Sequence, residues 1–158
     1  MNTNKEILDL GVKAKKAANL LENVSGDHKN DGLKELSKNL INYSEEIVLI
    51  NKKDIENAYK MNLSPSMIDR LTLNKERISN MVNSLREIIN LDNPVGHIIS
   101  EWTRPNGLHI QKLSVPLGVI GIIYESRPNV TVDASAIAIK AGNAVILRGG
   151  KDSFYTSQ

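Results

Sequence analysis

The sequence predicts an α/β fold in which a helical N-terminal part is followed by a β-hairpin and a parallel strand–helix–strand unit. Apolar residues recur at helical spacing through the first 93 residues. After Asn93-Pro94-Val95-Gly96, the pattern changes to extended segments separated by a turn. Two continuous apolar runs, Val119–Ile123 and Ala144–Leu147, then flank an alanine-rich segment, which is typical of buried parallel strands joined by a helix.

The helical part contains recognisable start and stop signals. A capping-box pattern at Thr3-Asn4-Lys5-Glu6 begins the first helix, and Ser25-Gly26-Asp27 is expected to end it. The second helical region is predicted to break near Asn42. Ser64-Pro65 is typical of an N-cap followed by proline at the first helical position, and Asn74 is expected to cap the next helix. The apolar face of that helix carries Ile78, Met81, Val82, Leu85, Ile88 and Ile89, a stripe typical of core packing.

The next segment reads as a hairpin. His97–Thr103 and Leu108–Val115 are expected to be extended, and Arg104-Pro105-Asn106-Gly107 between them is a strong turn signal. Apolar residues such as Trp102 and Leu113 give the hairpin surface that two strands alone cannot bury. On spacing alone, this surface packs either on a partner subunit or on the rest of its own chain, and both alternatives stay open.

These changes in pattern predict a division into a helical part (1–93), a hairpin arm (94–117) and the start of a parallel sheet (118–158). The helical part holds 14 basic and 14 acidic side chains, and the remaining residues hold 6 basic and 4 acidic ones. Nucleic-acid-binding proteins usually carry a clustered basic face. The small positive excess therefore predicts no nucleic-acid partner.

Several other classes of function are excluded by composition. The chain contains no cysteine, and its three histidines are scattered without ligand spacing, so no metal site is predicted. The N-terminus carries Lys5, Glu6 and Asp9 in place of a secretory apolar region. No apolar run approaches the length of a membrane span. We therefore expect a cytoplasmic protein without a membrane partner.

Two polar loops follow the two predicted parallel strands, where open parallel sheets bind ligands. In the second loop, Gly149-Gly150 would let a phosphate approach the backbone, and Arg148 and Lys151 would supply donors, although a plain strand-to-helix turn is an equal alternative. In the first loop, Arg127 and Asn129 could bind an anionic substrate or stabilise an oxyanion, and the alternative is a surface turn.

The residues around these loops resemble a known family. Val115–Lys151, which contains VPLGVIGIIYESRPNVTVD and KAGNAVILRGGK, closely resembles the gamma-glutamyl phosphate reductases of the aldehyde dehydrogenase superfamily. Met67–Ile78 and Asn90–Ile99 resemble the same family, so the resemblance covers nearly the whole chain. It implies an aldehyde-dehydrogenase-like fold, with N-terminal helices, a β-hairpin oligomerisation arm and the first βαβ unit of a Rossmann-like cofactor domain.

The resemblance also implies an activity. It is the NADPH-dependent reduction of L-glutamate 5-phosphate to L-glutamate 5-semialdehyde and phosphate, the second step of proline biosynthesis from glutamate. In that mechanism a cysteine thiolate attacks the acyl phosphate, phosphate leaves, and hydride reduces the thioester. The resemblance further favours a homo-oligomer joined through residues 97–115.

For the cofactor, the resemblance implies roles in the second loop. Arg148 falls where the superfamily usually has a lysine at the adenosine ribose, and Lys151 falls where many NAD-using relatives have a glutamate. We expect both cations to favour NADP over NAD. Gly149, Gly150 and Ser126 are also predicted to contact the cofactor.

For the substrate, a gapless alignment places Arg127 at the position of the superfamily's oxyanion asparagine, and Asn129 lies two residues later. Both stay candidates. No catalytic residue is assigned, because the chain is expected to end before the catalytic cysteine, and residues 152–158 depart from the family pattern. We expect an inactive N-terminal fragment. The alternatives are a natural short paralogue that acts as a non-catalytic cofactor-binding or assembly module, and a chain whose βαβ part pairs with another chain.

Overall fold

A computed structural model describes residues 3–125 and 127–158 and shows five helices, a hairpin and a parallel strand–helix–strand unit in these ranges. The first five helices are α1 (Thr3–Leu21), α2 (Gly26–Asn42), α3 (Ser44–Lys60), α4 (Pro65–Leu71) and α5 (Lys75–Asn90). The remaining elements are β1 (Ile98–Thr103), β2 (His109–Leu113), β3 (Val119–Ile123), α6 (Pro128–Lys140), β4 (Ala144–Arg148) and a 3-10 turn, Lys151–Ser153. Within the described ranges, no helix combines the length and apolarity needed to cross a bilayer.

Most of the predicted helix boundaries are confirmed. The side chain of Ser64 accepts a hydrogen bond from the Met67 amide at 3.4 Å, with Pro65 at the first helical position. Asn74 caps α5 in the same way, by accepting from the Arg77 amide at 2.8 Å. The predicted break near Asn42 separates α2 from α3. These caps satisfy amides that the first turn of a helix leaves without a partner.

One predicted boundary is wrong. Ser25-Gly26-Asp27 does not end α1, which already stops at Leu21. The Ser25 hydroxyl accepts a hydrogen bond from the His28 amide at 3.3 Å, so Ser25 is the N-cap of α2 and Gly26 is its first residue. Serine and aspartate near a helix end favour the N-cap because their short side chains reach back to the free amides, and here that preference starts the second helix.

The core lies where α5 packs between α2 and α6. The predicted apolar face of α5 is buried there. The buried cluster comprises Leu33, Leu40, Leu73, Ile78, Met81, Val82, Leu85, Ile88 and Ala136. At the edge of this core, the buried Lys140 ammonium donates to the Asn30 side chain and to the Ile89 carbonyl, both at 2.8 Å. This lysine ties the end of α6 to α2 and α5, and so fixes the helix that carries one of the candidate loops.

The hairpin forms as predicted, with β1 and β2 antiparallel and Trp102 opposite Ile110. Gly107 closes its turn at φ +86°, where a side chain would be strained. All six residues of β1 are exposed, and in β2 only Ile110 is half-buried. The described part of the chain therefore leaves the hairpin uncovered, and packing on its own chain, one of the two predicted alternatives, is not observed.

The second sheet pairs β3 with β4 in parallel, as predicted, with α6 as the connection. The prediction that both strands are buried is wrong for β3. Its residues alternate between exposed and half-buried, and Ile123 is 82% exposed. The helix α1 contacts both strands and α6 contacts β4. Neither covers the face that carries Val119 and Ile123, so one side of this two-stranded sheet is open.

Candidate functional site

The two predicted loops leave the same edge of the parallel sheet. The register pairs Ile123 with Arg148, the last residues of their strands. The Tyr124 amide then donates to the Arg148 carbonyl at 3.1 Å, which keeps the two loops together for one residue beyond the strands. Both loops therefore lie at the carboxyl edge of the sheet, as predicted, which is where sheets of this type bind ligands.

Both glycines of the second loop lie close to neighbouring side chains. A Cβ atom on Gly149 would lie 3.2 Å from the Tyr124 hydroxyl, and one on Gly150 would collide with the Asp152 carboxylate. The Tyr124 ring is itself held by a 2.5 Å hydrogen bond between its hydroxyl and the Thr131 hydroxyl. Gly149 therefore makes room for the Tyr124 ring, a reason that sequence reasoning did not supply, whereas a Cβ on Gly150 would only require the Asp152 carboxylate to turn away.

The two cations of the second loop are accessible. Arg148 ends β4 and Lys151 begins the 3-10 turn, and both are exposed. Neither side chain forms an ion pair or hydrogen bond within the described part of the chain. Two exposed cations three positions apart at a strand edge can bind a phosphate group, and the acidic Glu125 and Asp152 line the same cleft as Lys151.

Lys151 borders a cleft that we call the methionine cleft. This cleft has a volume of about 270 Å³. It is lined by Met61, Leu63, Met67, Glu125, Gly150, Lys151 and Asp152. Met61 and Leu63 lie in the connection from α3 to α4 and Met67 lies in α4, more than eighty positions before Lys151 in the sequence. Sequence reasoning missed them, because no local pattern links this connection to the second loop.

The segment after Lys151 is anchored on α3. The buried Asp54 carboxylate accepts hydrogen bonds from the Tyr155 amide at 3.1 Å, the Thr156 amide at 2.8 Å and the Thr156 hydroxyl at 2.6 Å. Ser153 is fully buried. Residues 152–158, whose departure from the family pattern left their role open, thus pack onto the helical part and hold the end of the second loop in place.

The first loop leads directly into α6. Arg127 is the N-cap position, and Pro128 is buried at the start of the helix. The Asn129 side-chain amide donates to Asp133 Oδ2 at 3.0 Å, one helical turn later. The other carboxylate oxygen, Asp133 Oδ1, is buried and has no hydrogen-bond partner in the described part of the chain. Ser126, predicted to contact the cofactor, lies outside the described residues.

Arg127 and Asn129 border a second cleft, which we call the arginine cleft. It lies between α4–α5 and the start of α6 and has a volume of about 300 Å³. Its polar lining is Asp69, Arg70, Thr72, Arg77, Asn80, Ser84, Arg127, Asn129 and Asp133. Arg77 is committed to the protein, because it donates to the Thr72 carbonyl at 2.8 Å and to Asp69 Oδ1 at 2.7 Å. The cleft thus brings both oxyanion candidates together with charged residues that sequence reasoning had assigned no role.

The clefts also divide the candidate site residues. Gly150 and Lys151 border the methionine cleft, whereas Arg127 and Asn129 border the arginine cleft. Among the described residues, no group of three or more histidine, cysteine or acidic side chains could hold a metal ion. The chemistry that the described residues offer is therefore anion binding by cations, and hydrogen bonding by an amide and a carboxylate.

The fold is that of an aldehyde-dehydrogenase-like α/β protein. A structure of NAD-dependent benzaldehyde dehydrogenase from Corynebacterium glutamicum matches 91% of this chain and 29% of its own, with a TM-score of 0.69 at 23% identity. The structure of gamma-glutamyl phosphate reductase from Thermotoga maritima matches better, with a TM-score of 0.94 and 40% identity over 96% of this chain and 37% of its own.

Sequence comparison points to the same enzymes. The chain is 53% identical to the gamma-glutamyl phosphate reductase of Bartonella tribocorum over 148 residues. These residues cover 94% of this chain and 36% of that protein. No family model matches the chain. The resemblance to gamma-glutamyl phosphate reductases that the sequence predicted is confirmed, over a segment that spans about 36% of the length of these curated relatives.

Proposed function

We propose that this chain forms part of an NADPH-dependent enzyme of the cytoplasm that reduces L-glutamate 5-phosphate to L-glutamate 5-semialdehyde and phosphate in proline biosynthesis. The observation that carries the proposal is the 53% identity, over 94% of the chain, to a protein named gamma-glutamyl phosphate reductase. The positions of the two loops at the carboxyl edge of the parallel strands support it.

In this proposal the second loop holds the cofactor, which supplies the hydride when bound. Arg148 and Lys151 are exposed, and neither forms an ion pair within the described part of the chain. Their positive charge favours the additional 2′-phosphate that distinguishes NADP from NAD. Gly149 and Gly150 contribute by shaping the loop, and Ser126 stays a proposed contact.

The first loop serves the substrate. When a nucleophile attacks an acyl phosphate, negative charge develops on the carbonyl oxygen, and donors at that position stabilise it. Asn129 keeps one amide hydrogen for this purpose, because the other is donated to Asp133. Arg127 has an exposed guanidinium without a partner in the described ranges. Both stay proposed oxyanion or substrate contacts.

We propose that this chain alone does not catalyse the reduction, because the thiol step requires a cysteine and none occurs among its 158 residues. The second candidate is a non-catalytic cofactor-binding or assembly module. The uncovered hairpin and the exposed residues of β3 support it, because they leave apolar surface available to a partner.

Assembly through residues 97–115 is part of the proposal. Trp102 and Leu113 are 44% and 46% exposed on the hairpin, and burying them is favourable by the hydrophobic effect. Analytical ultracentrifugation of the chain is expected to show a self-associating species that Trp102→Glu weakens. A chain that stays monomeric at high concentration would contradict assembly through the hairpin.

The cofactor assignment is tested by Lys151→Glu. At about 5 Å in water, two unit charges interact by roughly 0.8 kcal/mol, so reversing one charge beside a doubly charged phosphate costs about 3 kcal/mol before screening. The 158-residue chain is titrated with NADP⁺ and NAD⁺, and binding is followed by the NMR shifts of the Gly149 and Gly150 amides. The variant is expected to lose at least tenfold in affinity for NADP⁺ and to keep its affinity for NAD⁺. Lys16→Glu, on the exposed surface of α1, is the matched control.

Two outcomes would contradict parts of the proposal. An unchanged preference for NADP⁺ over NAD⁺ in Lys151→Glu would remove Lys151 from the cofactor site. Reduction of NADP⁺ by the pure 158-residue chain in the presence of both L-glutamate 5-semialdehyde and phosphate would show that the chain is active without a cysteine.

A further inference from the structure

We propose that the arginine cleft binds the amino-acid end of the substrate, with the Asp133 carboxylate accepting the α-ammonium group and the Arg70 guanidinium pairing with the α-carboxylate. This inference rests on the proposed function, because it takes the acyl phosphate of glutamate as the substrate. It adds two recognition residues that neither the loop motifs nor the resemblance assigns.

The first argument is the unpaired oxygen of Asp133. Buried polar atoms in folded proteins nearly always have a hydrogen-bond partner, and each exception requires an explanation. Asp133 Oδ1 is such an exception within the described part of the chain, and the residue borders the cleft. Because this oxygen is buried, a ligand in the cleft contacts it only after the atoms that cover it move aside. An ammonium group carries three donors and a positive charge, and it would then satisfy this oxygen with a charge-assisted hydrogen bond.

The orientation of this carboxylate is fixed in advance. Asp133 Oδ2 accepts the hydrogen bond from the Asn129 amide at 3.0 Å, so the two oxygens have different tasks. One holds Asn129, a proposed oxyanion donor, and the other is left for a ligand. A ligand ammonium at Oδ1 would therefore be placed in a fixed relation to Asn129, which is what recognition of one end of a substrate requires during reaction at the other.

The second argument is the balance of charge. The polar lining of the cleft includes three arginines and two aspartates, so its formal charge is positive by one. Arg77 is already bound to Asp69 and to the Thr72 carbonyl, whereas Arg70 has no ion pair or hydrogen bond from its side chain in the described ranges. Arg70 can therefore offer its planar pair of donors to a carboxylate without breaking an existing contact.

The size of the cleft limits the ligand. Pockets for small molecules span about 300 to 1,000 Å³, and the arginine cleft, at about 300 Å³, lies at the lower end. A small amino acid derivative suits this volume better than a dinucleotide does. Its negative acyl phosphate also suits the surplus positive charge that Arg127 adds.

Ligands that lack one group at a time test the inference. Acyl phosphates hydrolyse in water, so L-glutamate is the probe, with glutarate lacking the ammonium group and 4-aminobutyrate lacking the α-carboxylate. Binding to the ¹⁵N-labelled 158-residue chain is followed by amide shifts. We expect the chain to bind L-glutamate about tenfold more tightly than either analogue, with the shifts centred on the cleft residues.

Two variants separate the proposed contacts. Asp133→Asn keeps an oxygen that can accept from Asn129, and it is expected to abolish the preference for L-glutamate over glutarate. Arg70→Gln is expected to abolish the preference over 4-aminobutyrate. Asp9→Asn, on the exposed face of α1, is the matched control and should retain both preferences.

An Asp133→Asn chain that keeps the full preference for L-glutamate over glutarate would overturn the inference, as would the absence of any shift at the cleft. Inorganic phosphate alone producing the same shifts as L-glutamate would also overturn it. The proposed function is judged separately, by NADP⁺ titration at Gly149 and Gly150, so one can fail while the other stands.

Discussion

Replacing Asp54 by alanine is expected to destabilise the chain by about 3 kcal/mol, because one buried carboxylate holds the segment that follows the second loop. Asp54 is 1% exposed and accepts three hydrogen bonds, from the Tyr155 amide and from the amide and hydroxyl of Thr156. The Thr156 hydroxyl also accepts from Asn51 at 3.1 Å. Alanine removes the shared acceptor and leaves its donors without a partner.

The expected loss in the free energy of unfolding depends on how many of these donors water cannot reach. A hydrogen bond to a charged group contributes about 1.5 to 3 kcal/mol, and a buried donor without a partner costs about 1 to 3 kcal/mol. Tyr155 is exposed, so water can replace the carboxylate at its amide, whereas Thr156 is half-buried. The loss of one to two hydrogen bonds that water does not replace amounts to about 3 kcal/mol. For a chain of this length, this is a fall in melting temperature of about 6 to 12 °C.

Urea denaturation followed by circular dichroism measures the effect. Asp54→Asn keeps one oxygen acceptor without the charge, so it is expected to lose about half as much stability. Asp9→Ala removes an exposed aspartate from α1 and is expected to change the unfolding free energy by less than about 0.5 kcal/mol.

A double-mutant cycle with Thr156→Val isolates the contact. If Asp54 acts through Thr156, the loss in the double variant should fall short of the sum of the single losses by about 1 kcal/mol or more. Additive losses, or an Asp54→Ala chain as stable as Asp9→Ala, would refute the reasoning.

Two further predictions concern stability elsewhere. Gly142→Ala should destabilise the chain by about 2 kcal/mol, because Gly142 has φ +74° and a Cβ there would lie 2.9 Å from Pro116 Cγ. Gly11 lies in α1 with open space around it. Gly11→Ala should therefore stabilise the chain by about 0.5 to 1 kcal/mol in the same urea assay. Burial and the Lys140 charge lower the pKa of Lys29. The unfolded chain therefore holds this proton to a higher pH than the folded chain does. As a result, the free energy of unfolding increases as the pH rises towards the ordinary pKa of lysine. Unfolding free energies from pH 7 to 10.5 should show this gain in the native chain and not in Lys29→Met, and parallel pH profiles would contradict it.

Features set by neighbouring residues could be predicted from the sequence. The caps at Ser64 and Asn74 depend on a side chain reaching an amide three positions later, so the pattern alone defines them. The turn at Gly107 and the end of α6 at Gly142 depend on a positive φ that glycine tolerates. In each case the interaction that decides the structure lies within a few residues.

Features set by distant packing could not be predicted. A continuous apolar run predicts burial on both faces, but the exposure of β3 depends on which elements cover it, and the main contacts of this sheet in the described ranges are with α1 and α6. The glycine pair predicts room for a phosphate, and the structure adds that Tyr124 lies beside Gly149 and Asp152 beside Gly150. A glycine pair identifies close approach without identifying what approaches.

The first loop shows how a short motif can serve two clefts that the sequence cannot reveal. Glu125 borders the methionine cleft, whereas Arg127, two residues later, borders the arginine cleft. The other walls come from the α3–α4 connection and Met67 of α4 in one case, and from α4 and α5 in the other. Because α4 contributes residues to both clefts, a shift of this seven-residue helix would alter them together. The Arg77 contacts to Asp69 and Thr72, which fix the end of α4, therefore bear on both proposed binding sites.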